Sequence, residues 1–272
     1  EQPHFPSAMA YHLSATKLQT YHRCPQAYYF RYERKVPAPG FFGSLALGVA
    51  LHKALAKIHG DWHYNAPRPE WEWLDRCWQD CTDGLTPKQI ADGRDALQLY
   101  FKCFICTQDT LHRPLAIESK IQGRLQVQNV EFVLTGRCDR LDWLPDGLKL
   151  VDYKSAKSVP TTASAELDLQ LGLYYLALEQ KYGRSLKQLS LIYLRSGREL
   201  TYDVTSDHRR AVESAIGDLA LRLRTDDCWP AEPGGHCDRC SFARYCNEAS
   251  DAPDPLPHNS VSSPQLQLVL NL

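Results

Sequence analysis

Residues 131–154 constrain the fold more than any other stretch of the chain. Glu131-Phe-Val-Leu-Thr-Gly-Arg-Cys-Asp-Arg-Leu-Asp142 alternates at its centre, Leu148-Lys-Leu-Val-Asp-Tyr-Lys154 does the same, and Pro145-Asp-Gly147 lies between them. Two period-two segments joined by a short turn specify a β-hairpin. In a strand, residues i and i+2 share a face, so Asp152 and Lys154 project together while Tyr153 points the other way and offers a metal only its backbone carbonyl. Asp139, on the partner strand, could complete the cage. Cleaving a phosphodiester needs a hard cation on the phosphate oxygens and an activated water, and two carboxylates with one amine can supply both. The bland alternative is a surface hairpin whose Asp and Lys form a weak ion pair.

Two helical segments and one strand residue bear on the choice. Phe42-Gly-Ser-Leu-Ala-Leu-Gly-Val-Ala-Leu-His-Lys-Ala-Leu-Ala-Lys-Ile58 is rich in helix formers and sets Gly48 and His52 one turn apart, on one face. A neutral His52 could ligate a metal, although a lone helix histidine is more often structural. After the hairpin, Asp168-Leu-Gln-Leu-Gly-Leu-Tyr174 places Gln170 and Tyr174 one turn apart; the alternative is an apolar core helix with two incidental polar groups. Glu118, on the strand before the hairpin, is read as an edge-strand carboxylate in solvent, with accessory ligation as the alternative.

Gly48–His52, Gly136–Asp139, Asp152–Lys154 and Gln170–Tyr174 stand in one order, and in that order the chain resembles the RecB-like branch of the PD-(D/E)XK nucleases from about Leu13 to about Asn247. The resemblance implies a restriction-endonuclease-like α/β core, a central mixed sheet flanked by helices. It also implies a metal site of His52, Asp139 and Asp152 with the Tyr153 carbonyl, taking Mg²⁺ or Mn²⁺. Lys154 would orient or activate water, and Gln170 and Tyr174 would position DNA or the lysine.

A second constellation is made of thiols. Cys237-Asp-Arg-Cys240-Ser-Phe-Ala-Arg-Tyr-Cys246 offers three close ligands, and Cys24, in Tyr21-His-Arg-Cys-Pro-Gln-Ala-Tyr-Tyr-Phe-Arg-Tyr32, supplies a distant fourth. Four thiolates suit an iron–sulfur cluster or a structural zinc, with His236 as an alternative ligand. The resemblance favours a [4Fe–4S] cluster, as held by AddB-type subunits and CRISPR-associated RecB-like exonucleases. Such a site would clasp residue 24 to residues 237–246 and close a very long loop. Cys77/Cys81 and Cys103/Cys106, on helical segments, are read as buried thiols, and Cys138 and Cys228 as core or neutral positions. Ten cysteines in a chain this long, with metal-ligand spacing and no signal-peptide pattern, point to a reducing cytoplasm rather than a disulfide scaffold.

The 272 residues, 43% hydrophobic, can bury one substantial core. Helices are expected over 14–33, 43–60, 70–82, 87–112, 166–182 and 207–224, and strands over 115–127, 130–143, 148–154, 188–195 and 199–204, an α/β sandwich. Residues 13–248 form one nuclease domain: a mainly helical part (13–112), an α/β core (113–224) and a cysteine region (225–248) closing onto Cys24. Trp62, Trp71, Trp73 and Trp78 belong to the helical part, more as core than as a base-stacking platform. The opening Glu1-Gln-Pro-His-Phe-Pro lacks an initiator Met, reads as a trimmed start and is set aside.

A formal charge of −1 gives no global basic footprint, but Lys17, Arg23, Arg31, Arg34 and Lys35 interleave with Tyr21, Tyr28, Tyr29, Phe30 and Tyr32, a mix that suits single-stranded DNA unless the rings pack inward. No phosphate-binding glycine loop and no apolar run of membrane-spanning length occurs. Residues 249–264 are Asp, Pro and Ser rich and read as a disordered linker. The terminal residues 265–272 follow, in which Gln267, Leu268, Leu270 and Leu272 resemble the short peptide that docks on bacterial sliding clamps, unless they pair with the protein's own sheet. The expectation is a metal-dependent DNA exonuclease preferring single strands in repair, recombination or CRISPR processing, with helicase, recombination or CRISPR proteins as partners. The alternative is a catalytically quiet iron–sulfur scaffold subunit.

Overall fold

A computed structural model describes residues 11–37, 42–128, 130–156, 159 and 165–257. In chain order the elements are β1 (Tyr11–Ser14), α1 (Ala15–Arg23), α2 (Pro25–Tyr28), α3 (Phe42–Gly60), α4 (Trp71–Gln79), α5 (Pro87–Tyr100), β2 (Ala116–Val127), β3 (Val130–Leu144), β4 (Gly147–Lys154), α6 (Ala165–Tyr182), β5 (Leu186–Tyr193), β6 (Arg198–Asp203) and α7 (Ser206–Thr225). Single π-helical turns extend α2 over Tyr29–Glu33 and α5 over Phe101–Ile105. The described residues divide into two compact units: those of 11–19 with 42–225, and those of 20–37 with 226–257.

The first unit is built on a six-stranded mixed sheet in the order β1-β3-β4-β5-β6, with β2 also paired to β3. The expected hairpin is β3–β4, closed by the Leu144↔Gly147 pair around Pro145 and Asp146. β3 is long enough to be shared. β2 runs antiparallel along it from Val130 to Leu141. Its other edge is divided between β1, parallel over Phe132–Thr135, and β4, antiparallel over Arg140–Leu144. Residues 136–139 face neither strand on that edge, and β4 parts from β3 beyond the Arg140↔Val151 pair while continuing parallel to β5. The sheet therefore forks at Asp139 and Asp152.

Helices cover both faces because β4 is apolar on both, as a central strand must be. Val151 and Tyr153 pack with Leu51, Leu55 and Ile58 of α3, Leu74 and Trp78 of α4, and Leu97 and Tyr100 of α5. Each such side chain, fully buried, contributes on the order of 1.5–3 kcal/mol. α6 and α7 lie together elsewhere on the sheet: a Cβ at Gly123 of β2 would meet the Ala177 backbone at 2.8 Å, and one at Gly172 would meet Val212 Cγ1 at 1.7 Å. α5 starts where the sequence provides a capping box, with Thr86 Oγ1 accepting from Gln89 N and Gln89 Oε1 accepting from Thr86 N, followed by Pro87.

The second unit joins the end of α1, α2 and its π turn to residues 226–257. Trp229 stacks on Tyr28 (centroids 5.5 Å apart) and Tyr29 (5.7 Å), Tyr21 donates to Asp226 Oδ2 at 2.7 Å, and Gln26 N donates to Pro230 O at 3.1 Å. The rings of Tyr21, Tyr28 and Phe30 are buried, so most of the aromatic side chains near the first helix pack inward.

Three expectations change. Residues 11–14 form a strand that was not anticipated. The helix expected over 14–33 breaks at extended Cys24, where Pro25 starts a new helix. The helix expected over 87–112 ends with the π turn at Ile105. Trp62 and Trp78 are core residues. Cys77 and Cys138 are buried, whereas Cys81, Cys103 and Cys106 are partly exposed and Cys228 is exposed. Residues 258–272, with the proposed docking peptide and the last part of the linker before it, lie outside the described residues. No helix among those described is long and apolar enough to cross a membrane.

Candidate active site

The fork gathers His52, Glu118, Asp139, Asp152, Lys154 and Gln170. α3 brings His52 there because Gly48 lets the helix lie against Ser155, just past β4, where a Cβ would stand 3.2 Å from Ser155 Oγ. One turn later His52 Nδ1 lies 3.2 Å from Asp139 Oδ1. The other oxygen of Asp139 accepts from the Tyr153 amide at 2.8 Å, replacing a ladder bond lost where the strands part. Asp152, on β4, accepts through Oδ1 from Gln170 Nε2 of α6 at 3.0 Å, and its Oδ2 lies 2.7 Å from Lys154 Nζ. That contact is a close charge pair, and the buried Oδ2 has no other partner among the described residues.

Glu118 is the residue that sequence reasoning undervalued. It stands directly across from Asp139 in the β2–β3 register, between the Ile117↔Arg140 and Ser119↔Cys138 pairs. Its φ of 45° is left-handed, a costly conformation for a residue with a Cβ. Rather than standing in solvent as an edge-strand acid, its carboxylate lies 4.0 Å from His52 Nδ1 and 2.8 Å from Arg137 Nε. Among the described residues, His52, Glu118 and Asp139 form the group whose donor atoms all lie within 4.8 Å of one another. The only hint in the sequence was an acid in the strand before the hairpin.

The cluster is electrostatically overloaded with negative charge. Burial raises the Asp152 pKa, Lys154 opposes the rise and Asp139 adds to it. Glu118 is likewise raised, first by burial and then by Asp139. For His52, burial lowers the pKa, but the hydrogen bond to Asp139 and the charges of Asp139, Asp152 and Glu118 outweigh it and leave the value raised. An added cation would relieve all three carboxylates.

Gln170 holds Asp152, and the Tyr174 hydroxyl donates to Arg137 O at 2.9 Å, bracing β3 beside the gap. The Tyr153 ring is buried on the opposite face from Asp152. In the second unit, Cys24, Cys237, Cys240 and Cys246 line one pocket, with Phe30 and Phe242 behind them. Burial raises the Cys240 pKa, the Phe242 backbone lowers it, and the other three cysteines raise it further.

Residues 12–247 match the PD-(D/E)XK nuclease superfamily, and the chain belongs to it. Among solved structures it is similar to a protein of Eubacterium rectale described as a "putative exonuclease", at 12% identity and a TM-score of 0.51 over 90% of this chain and 91% of that one. It is also similar to SSO0001, at 15% identity and a TM-score of 0.46 over 90% and 89%. Curated proteins give no significant match. The superfamily is one of nucleases that use divalent metals, and the fork holds a candidate site for one.

Proposed function

We propose that this chain is a Mg²⁺- or Mn²⁺-dependent exodeoxyribonuclease of the RecB-like branch, acting on single-stranded DNA in repair, recombination or CRISPR-related processing. The observation that carries the reading is the convergence of His52, Glu118 and Asp139 beside the Asp152–Lys154 pair. One imidazole nitrogen with several carboxylate oxygens is a hard, anionic donor set, and the buried Asp152 Oδ2 is paired only with Lys154, so the residues fit a divalent cation. His52, Glu118, Asp139 and Asp152, with the Tyr153 carbonyl, would hold it. The cation would supply positive charge to the phosphate oxygens and acidify water. Lys154 offers a mobile donor to the attacking water or to the charge developing on phosphorus-bound oxygen. Gln170 keeps Asp152 turned so that Oδ2 stays beside that amine. Hydrolysis adds water across one P–O bond and leaves a phosphate monoester and a free hydroxyl.

Cys24, Cys237, Cys240 and Cys246 are proposed to hold a [4Fe–4S] cluster. The four thiols line one pocket of the second unit, which supports the reading. A groove in the same unit lined by Arg23, Arg31 and Arg239, with Asp238 opposing them, supports contact with a phosphate backbone. Docking on a sliding clamp through Gln267, Leu268, Leu270 and Leu272, cytoplasmic residence, and helicase, recombination or CRISPR partners complete the reading. Deleting residues 265–272 should abolish clamp pull-down and spare cleavage of short oligonucleotides.

The test is degradation of end-labelled single-stranded DNA with Mg²⁺ or Mn²⁺ by anaerobically purified wild type, Asp152→Ala and Lys154→Ala. Activity lost in both variants is the expected result. Variants as active as wild type would overturn the site, and an inert wild type with an intact cluster would leave a scaffold subunit instead.

A further inference from the structure

Behind the fork lies a buried polar network that hydrolysis does not itself require. Arg140 follows Asp139 on β3 and Tyr153 follows Asp152 on β4, so both project to the α3 side of the sheet. Arg140 anchors Nε and Nη2 on Asp142 Oδ2 at 3.1 and 3.0 Å. Its Nη1 is thereby aimed at three groups: the Tyr153 hydroxyl (3.1 Å), the Tyr100 hydroxyl (3.1 Å) and His59 Nε2 (3.0 Å). Tyr100 also lies 2.8 Å from His59 Nε2 and 3.3 Å from the Tyr153 hydroxyl.

The donors determine the protonation pattern. A guanidinium only donates, so His59 Nε2 must accept and the imidazole must be neutral with its proton on Nδ1, which has no hydrogen-bond partner. Burial, followed by the charge of Arg140, lowers the His59 pKa, in keeping with that state. Tyr100 then donates to His59 and Tyr153 donates to Tyr100, while the two Nη1 hydrogens of Arg140 are shared among the Tyr153 and Tyr100 hydroxyls and the His59 nitrogen.

We propose that this network is a clamp that sets the separation of the two site carboxylates, with Arg140 and the Tyr153 hydroxyl as positioning residues. The inference rests on the metal-nuclease reading above. Tyr153 is held on both sides of the fork: its amide binds Asp139 and its hydroxyl binds Arg140. These two ties span β3 and β4 where the ladder has ended, and Tyr153 lies between Asp152 and Lys154 in sequence. Removing the rear tie frees β4 to shift, and with it Asp152 relative to Asp139 and His52. Outer-shell groups of this kind typically alter metal affinity or activity by about 10–100-fold.

The test is titration of metal-free protein with Mn²⁺ alone, followed by electron paramagnetic resonance, on wild type, Asp139→Asn and Tyr153→Phe, beside kcat and KM on single-stranded DNA. Tyr153→Phe removes one oxygen and keeps the ring and the amide. The expected result is Mn²⁺ binding weakened about tenfold, a lower kcat and an unchanged KM for DNA. Arg140→Lys, which keeps a donor to the hydroxyls, should recover part of what Arg140→Met loses. Tyr153→Phe that binds Mn²⁺ like wild type, whatever its melting temperature, would overturn the clamp while Asp139→Asn still loses binding. Wild type that binds no Mn²⁺ would instead overturn the metal-nuclease reading and the clamp with it.

Discussion

Replacing Glu118 by glycine should make the metal-free protein more stable while weakening its hold on Mn²⁺. Glu118 sits at φ 45°, where a side chain costs about 1–2 kcal/mol relative to ordinary backbone. Glycine removes that strain but returns roughly 0.5–1 kcal/mol through the freedom it gives the unfolded chain. The exposed contact with Arg137 is worth about 0.5 kcal/mol. Its loss is offset by about 0.5 kcal/mol from removing a like charge directly opposite Asp139. Arg137 Nε keeps its bond to the backbone carbonyl of residue 118 in either case. The net gain is therefore on the order of 0.5–1 kcal/mol, or about 1–2 °C in melting temperature for a chain of this size. Thermal melts in chelator and in Mn²⁺, with Glu118→Ala as a control that loses the carboxylate but keeps the strain, separate the contributions. The glycine variant should melt above both others in chelator and show a smaller rise on adding Mn²⁺ than wild type. A glycine variant that melts below wild type in chelator yet keeps the full Mn²⁺ response would refute both the strain and the ligand role.

Gly172→Ala drives a methyl into Val212 and should cost about 1–3 kcal/mol where α6 meets α7, read as an earlier denaturant midpoint with the same slope. Because the His59 pKa is lowered in the fold, the unfolded chain binds the extra proton as pH falls through the ordinary value of about 6.5, so His59 removes stability on acidification. His59→Gln should shrink the fall in melting temperature between pH 7.5 and 5.5 (an interval chosen to bracket about 6.5), and an equal fall in both proteins would count against it. Cys240→Ala should lower the melting temperature and remove visible absorbance near about 400 nm; an unchanged melt would sink the cysteine clasp.

Much of the site was legible because it rests on period-two patterns. Asp139, Asp152 and Lys154 followed from alternation around Pro145-Asp-Gly147, and the β3–β4 pairing has that register. Gln170 and Tyr174 fell one helical turn apart as read, but their partners, Asp152 and a backbone carbonyl of β3, depend on where α6 crosses the sheet. Glu118 was underrated because a single left-handed residue leaves no trace in composition. β1 went unseen for a different reason. Four residues carry too short a pattern to register, and their partner strand begins well over a hundred positions later. The break at Cys24 was within reach, since Pro25 cannot continue a helix.

The division of one edge of β3 between two strands also orders the assembly of the protein in time. β2, β3 and β4 are a meander of neighbours that can pair as soon as they exist, whereas Tyr11↔Phe132 must close a loop spanning the whole helical region. Loop-closure entropy defers such a contact. A nascent chain would thus acquire its carboxylate-bearing strands first and stitch its amino-terminal strand to them last, and pulse-labelled hydrogen exchange should show amides of β3 and β4 protected before those of residues 11–14. Simultaneous protection of both would contradict that order.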